Sequence, residues 1–139
     1  MFTALMDAPL IPVRGGSSHP AASGIYVLYE GGRAEHVGRT RNLLVRLRGH
    51  TSNNHYSASF AFKRTRRELN RTRASYRSTN SRAALAKNDI FGPAFRRQID
   101  LVRAMEVRFL AVPDPVDQYL LELYAALELD LPLDEFDTH

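Results

Sequence analysis

The sequence predicts one α+β domain, on three observations. Two short strand-like runs, 25–29 and 34–38, flank a pair of glycines; a third alternating run stands far downstream at 105–112; and helical apolar spacing fills segments between and after them. The chain has 139 residues, one domain's worth, and 44% hydrophobic content is enough for a single modest core. No repeat or linker divides it, so residues 1–22 read as an N-terminal arm and 23–139 as one domain.

In the first strand Ile25, Val27 and Tyr29 alternate with Tyr26 and Leu28, the period of a strand with one face buried and the other available. Gly31 and Gly32 supply a hairpin turn, because glycine accepts the positive φ such loops demand. Register then decides which side chains meet. A three-residue loop, 31–33, opposes Leu28 to His36 and sets Tyr26 and His36 on the same face; a two-residue loop sets them on opposite faces. A shared site requires the first, and that is the expectation.

After Gly38, Thr40 or Asn42 can cap a helix with Leu43, Leu44 and Leu47 as its apolar stripe. Arg46 and His50, four apart, flank that stripe as neighbours. A second, basic helix is expected from about residue 57 to 72, and 74–81, rich in Ser, Thr, Arg and Asn, reads as a loop. Phe91, Phe95, Ile99 and Val102 then carry a structural helix over 88–104, with Pro93 acceptable in its first turn. In the third strand Met105, Val107, Phe109 and Ala111 alternate with Glu106, Arg108 and Leu110. Asp114 and Pro115 break it, and Asp117 starts a last helix whose core stripe is expected to be Leu120, Leu123, Tyr124 and Leu127, with Glu122 pointing away.

Taken in order, Gly24-Ile25-Tyr26, the triplet His36-Val37-Gly38, Arg46 eight residues past Gly38 and His50 four further on make a spaced constellation. It resembles the signature of the GIY-YIG nuclease family, with His36 standing where the family usually has its second tyrosine. The resemblance implies a GIY-YIG-like fold, a small three-stranded antiparallel sheet flanked by helices. It also implies a metal-binding glutamate on the helix after the third strand, a role that falls to Glu122 in Leu120-Leu121-Glu122-Leu123, with Glu128 as the substitute. Asp134 is the nearest counterpart of an asparagine with which family members often end, and it stays outside the expected site.

Charge is uneven along the chain. Residues 39–82 hold twelve Lys or Arg against the single acid Glu68, whereas 114–139 hold eight acids and no Lys or Arg. A polyanion-binding middle and an acidic end follow from that asymmetry. Arg39, Arg41 and Arg48 beside the first helix, and Lys63, Arg64, Arg66, Arg67, Arg71 and Arg73 on the second, are the expected nucleic-acid contacts. The rival is a solvated basic face paired with the chain's own acidic end.

Other chemistries fall away. The chain has no cysteine, which removes disulfides, thiolate zinc sites and a cysteine nucleophile, and suits a reducing, cytoplasmic setting. HExxH, GxSxG and Walker-type loops are absent, and the five-residue spacing of His50 and His55 does not put both on one helix face. Asp134, Glu135 and Asp137 read as a solvated tail. Asp7, Pro9 and Pro12 interrupt the early hydrophobicity, so neither a signal peptide nor a membrane span is expected.

The function these readings imply is metal-dependent endonucleolytic hydrolysis of a phosphodiester, with water as nucleophile and DNA favoured over RNA. By the resemblance, Tyr26 takes the proton from the attacking water. A free phenol has a pKa of about 10 and needs help as a base, which His50 can relay and His36 assist. Arg46 holds the scissile phosphate through its planar guanidinium. Glu122 carries one Mg²⁺ or Mn²⁺, completed by substrate and water. Two rivals stand beside this reading: a catalytically inactive nucleic-acid-binding module of the same fold, and a protein-interaction domain whose basic middle and acidic end pair with another chain or another copy, a homo-oligomer.

Overall fold

The β-hairpin that carries both motif triplets is set by two glycines and one extra residue. In the computed structural model, which describes residues 1–14, 19–54, 56–69 and 90–132, strands β2 (Gly24–Glu30) and β3 (Arg33–Thr40) pair antiparallel. Gly31 and Gly32 have φ of +58° and +81°, the two positive values of a tight two-residue turn, and Glu30 opposes Arg33. The expected three-residue loop is therefore corrected to two. Between Leu28 and Tyr29 the register shifts, so that Tyr29 opposes Ala34 but Leu28 opposes His36, leaving Glu35 as the inserted residue of a β-bulge. The bulge restores the pairing that the longer loop was expected to give, and Tyr26 and His36 share a face.

Among the described residues four strands, not three, form the sheet, in the order β1-β4-β2-β3. The addition is β1 (Ile11–Pro12), which pairs antiparallel with β4 (Glu106–Ala111) at the edge, where a proline costs no ladder bond. Helix α1 (Phe2–Asp7) precedes it and inserts Leu5 into the core, so the segment read as an arm contributes both a strand and an anchor. The Tyr29 hydroxyl donates to Met6 Sδ at 3.6 Å, and the Arg108 guanidinium donates to the Ala8 carbonyl.

Strand β2 lies in the middle, between β4 and β3, and is buried from Gly24 to Tyr29. The expectation of one available face is corrected: Tyr26 and Leu28 are as buried as Ile25 and Val27. A strand covered on both sides reads as a continuous apolar run, which is what Ile-Tyr-Val-Leu-Tyr is. Gly24 permits close strand approach, since a Cβ there would run into the Leu110 carbonyl oxygen of β4.

Helix α5 (Pro115–Glu128) covers the Ile25, Val27 and Val37 face through Leu121, Ala125 and Ala126. It starts two residues before the expected Asp117, because Asp114 is its N-cap, accepting from the backbone N–H of Val116 at 2.8 Å and of Asp117 at 3.3 Å, and Pro115 fits the first turn. Its orientation corrects the expected core stripe. Gln118, Leu121, Glu122, Ala125 and Ala126 face inward, while Leu120, Leu123, Tyr124 and Leu127 are 42–61% exposed. Apolar residues line both sides of this helix, and the side with the two alanines is the one that can approach the sheet.

The described residues fall into two compact units, Met1–Leu47 with Ala104–His139, and Arg48–Arg103. The sheet, α1 and α5 belong to the first. Helix α2 (Leu43–His50) begins there, with the Asn42 side chain accepting from Val45 N–H at 3.1 Å and Thr40 Oγ1 accepting from Asn42 N–H at 3.0 Å, so both candidate caps take part. The second unit holds α3 (Ser59–Glu68) and α4 (Phe91–Arg103), packed through Phe62 against Phe91 and Phe95 with ring centroids 4.9 and 5.8 Å apart. Residues 70–89 and 133–139 lie outside the described residues, and with them Arg71, Arg73, the expected loop at 74–81 and Asp134. No helix among the described residues is long and apolar enough to cross a membrane.

Candidate active site

Tyr26 and Gly38 are directly opposed across the β2–β3 ladder. The phenol lies over the glycine: a Cβ on Gly38 would stand 2.5 Å from Tyr26 Oη and 2.6 Å from Cζ, distances no real side chain tolerates. The last glycine of the second triplet is therefore the floor on which the first triplet's tyrosine rests. Two positions back on the same face, the His36 imidazole comes to 3.4 Å from Tyr26 Oη through Nε2, with ring centroids 5.7 Å apart. Both side chains are buried, Tyr26 at 0% and His36 at 2% exposure. A phenol oxygen and an imidazole nitrogen at this distance can exchange a proton, in the direction the tautomer allows.

Strand alternation sends the next residue but two, Arg39, to the other side of β3, the side shared with Ile25 and Val37 and covered by α5. There its Nε lies 3.7 Å from Glu122 Oε1, and its guanidinium sits 3.8 Å above the centre of the Tyr119 ring. The pair is shielded, with side-chain exposures of 13% and 3%. Arg39, expected to face nucleic acid, is thus the counter-ion of Glu122, and Glu122, expected to point away from the core, is buried. Beside them opens a cavity of about 310 Å³ lined by Ser23, Arg39, Thr40, Arg41, Gln118 and Tyr119. Sequence reasoning missed Tyr119 and Gln118; the signal for Tyr119 was its i, i+3 spacing to Glu122, which stacks the two on one side of the helix.

Arg46 is half-buried on α2, its backbone N–H bonded to the Asn42 carbonyl at 3.0 Å. His50, the last residue of α2, belongs to the second unit, where it is fully buried and meets the Phe60 ring edge-on at 6.4 Å. The basic residues divide into two groups. Arg64 is held by the Gln98 side-chain oxygen at 2.8 Å, and Arg66 lies 4.8 Å over the Phe62 ring, so both are partly committed to packing. Arg41, Arg48 and Arg67 are exposed, and Lys63 is half-exposed.

Among the described residues Glu122 is the one buried carboxylate. Among the described residues no group of three His, Cys, Asp or Glu converges, and the buried carboxylate of Glu122 already faces Arg39. Such a site suits a hard cation only when phosphate oxygens and water supply the remaining ligands.

No family model, no curated protein and no solved structure matches this chain.

Proposed function

We propose that the chain is a metal-dependent endonuclease of the GIY-YIG kind, hydrolysing phosphodiester bonds in nucleic acid, with DNA as the first substrate to test. The observation that carries this reading is the Tyr26 phenol, laid across Gly38 with its oxygen 3.4 Å from His36 Nε2, because it gives the spacing of the two triplets a chemical purpose. Tyr26 takes the proton of the attacking water and passes it to His36, which stands in the usual tyrosine's place. Arg46 binds the phosphate and stabilises its developing charge, and a role for His50 in proton transfer is carried by the GIY-YIG resemblance alone, since His50 belongs to the second unit. Glu122, on the opposite face of the sheet from Tyr26 and His36, would hold Mg²⁺ or Mn²⁺, and the ion would supply charge neutralisation to the phosphate of a substrate that spans the β3 edge. The exposed Arg41, Arg48 and Arg67, with Lys63, bind the phosphate backbone of the substrate.

A second reading, a nucleic-acid-binding module without chemistry, is favoured by the burial of Tyr26 and His36 and by the engagement of Glu122 with Arg39. A cleavage assay on supercoiled plasmid and structured RNA separates the two, run with Mg²⁺, Mn²⁺ or EDTA on the wild type, Tyr26→Phe and Glu122→Ala. Metal-dependent nicking lost in both variants, with nucleic-acid binding retained, supports the nuclease. Salt-sensitive binding without product supports the module, and equal cutting by wild type and both variants removes these residues from the chemistry.

A further inference from the structure

Helix α5 is apolar on two opposite faces. Its inner face packs on the sheet; its outer face, with Val116, Leu120, Leu123, Tyr124 and Leu127 between 42% and 64% exposed, is left largely open, with Phe2 against Tyr124 at its edge. The other exposed apolar side chains among the described residues, such as Val45, Tyr56, Ile90 and Leu101, lie on other segments. The five on the outer face of α5, with Met1 beside them at 58% exposure, form a patch. At roughly 100 Å² for each half-exposed side chain of this size, the patch supplies most of the ~800 Å² that each partner gives to a standard interface.

Its pattern indicates what covers it. Val116, Leu120, Leu123 and Leu127 are spaced by four, three and four residues, the alternating seam by which one helix packs along another. Positions beside such a seam usually carry the charges that set partner choice, and like charges there oppose self-pairing. Here they are Tyr119, Tyr124 and Ala126, with Asp117 as the one acid, while Glu128 falls off the seam. Two copies of the helix can therefore meet without setting like charges against each other in the seam. The helix is also already fixed to the sheet by its inner face and the Asp114 cap, so pairing orders no new segment. Next to the seam, a groove of about 580 Å³ between α1 and α5 offers room for a partner's side chains.

We infer that the chain forms a homodimer through the outer face of α5, Val116, Leu120, Leu123 and Leu127 of one copy packing against the same residues of the other. The interface is isologous, so each copy presents one hairpin site and a dimer presents two. Dimerisation is independent of the nuclease reading, since it rests on the helix face alone.

The test is sedimentation equilibrium of the full chain across a wide concentration range, with circular dichroism to verify the fold. Wild type is expected to show the mass of two chains. Leu120→Glu is expected to raise the dissociation constant by about a hundredfold or more, because a carboxylate enters an apolar seam, and Leu127→Glu to act likewise. Leu120→Lys is expected to be monomeric alone and to form a dimer when mixed with Leu120→Glu, a rescue that only an interface between copies produces. A wild type that stays monomeric at the highest concentration reached overturns the inference and leaves the face to a different protein. A dimer indifferent to Leu120→Glu and Leu127→Glu overturns it too, by placing the contact elsewhere.

Discussion

Arg39 and Glu122 form a shielded ion pair, Nε to Oε1 at 3.7 Å, with the guanidinium stacked on Tyr119. Both charges are largely withdrawn from water, so each stabilises the other. Removing one leaves the remaining charge poorly compensated. Glu122→Ala is expected to cost about 3 kcal/mol of stability, and Arg39→Met with Glu122→Leu to recover most of it. Urea denaturation of wild type, Glu122→Ala and the double variant checks this, and a double variant no more stable than Glu122→Ala would contradict the pairing.

The same pair sets an expectation for cations. Arg39 and a divalent ion compete for one carboxylate, so Arg39→Gln is expected to tighten Mn²⁺ binding to the free protein several-fold. Isothermal titration calorimetry without nucleic acid measures it. Unchanged affinity would mean that Glu122 is not where the ion binds.

Gly38 is expected to admit no side chain while Tyr26 lies over it. Gly38→Ala should destabilise by about 2–3 kcal/mol, the range for overpacking a filled site, and by clearly less when Tyr26 is also changed to Ala. A double-mutant cycle by chemical denaturation gives the coupling. Equal losses in both backgrounds would show that the phenol is not the obstacle.

At the turn, a Cβ added to Gly31 or Gly32 would meet nothing within 4 Å, so any cost there is one of backbone alone. Gly31→Asn, at φ +58°, is expected to be nearly neutral, whereas Gly32→Val, at φ +81°, should cost about 1–2 kcal/mol. Thermal unfolding of the two variants distinguishes them.

Among the arginines, Arg41→Ala, Arg48→Ala and Arg67→Ala are each expected to lower nucleic-acid affinity and to reduce the salt slope by about one, the first two with stability unchanged. Arg64→Ala should act differently, losing about 1 kcal/mol of stability with its 2.8 Å bond to Gln98. Fluorescence anisotropy at several salt concentrations, with melting curves alongside, reads both effects.

Local pattern carried much of the fold. The alternation of 25–29 and 105–112, the glycine turn and the helical spacing of Phe91, Phe95, Ile99 and Val102 all marked elements where the structure has them. What the sequence hid was set by tertiary packing. Ile11-Pro12 is too short to show a period and becomes a strand only because β4 lies beside it. Leu120 and Leu127 outrank Ala125 and Ala126 on any hydropathy scale, yet small side chains win the inner face because they let the helix come close. Glu122 was singled out by its place after the third strand, but its partner was not, because Arg39 and Glu122 are brought together only by α5 crossing the sheet.

The inserted Glu35 has a consequence for how this hairpin can vary. Because a bulge absorbs one residue without disturbing the pairing on either side, a chain lacking Glu35 would run Tyr29 to Ala34 and Leu28 to His36 with no break, and the imidazole would still face the Tyr26 phenol. Glu35 therefore adds local twist and bend to the hairpin rather than facing, and the meeting of phenol and imidazole tolerates a one-residue change of length at this point.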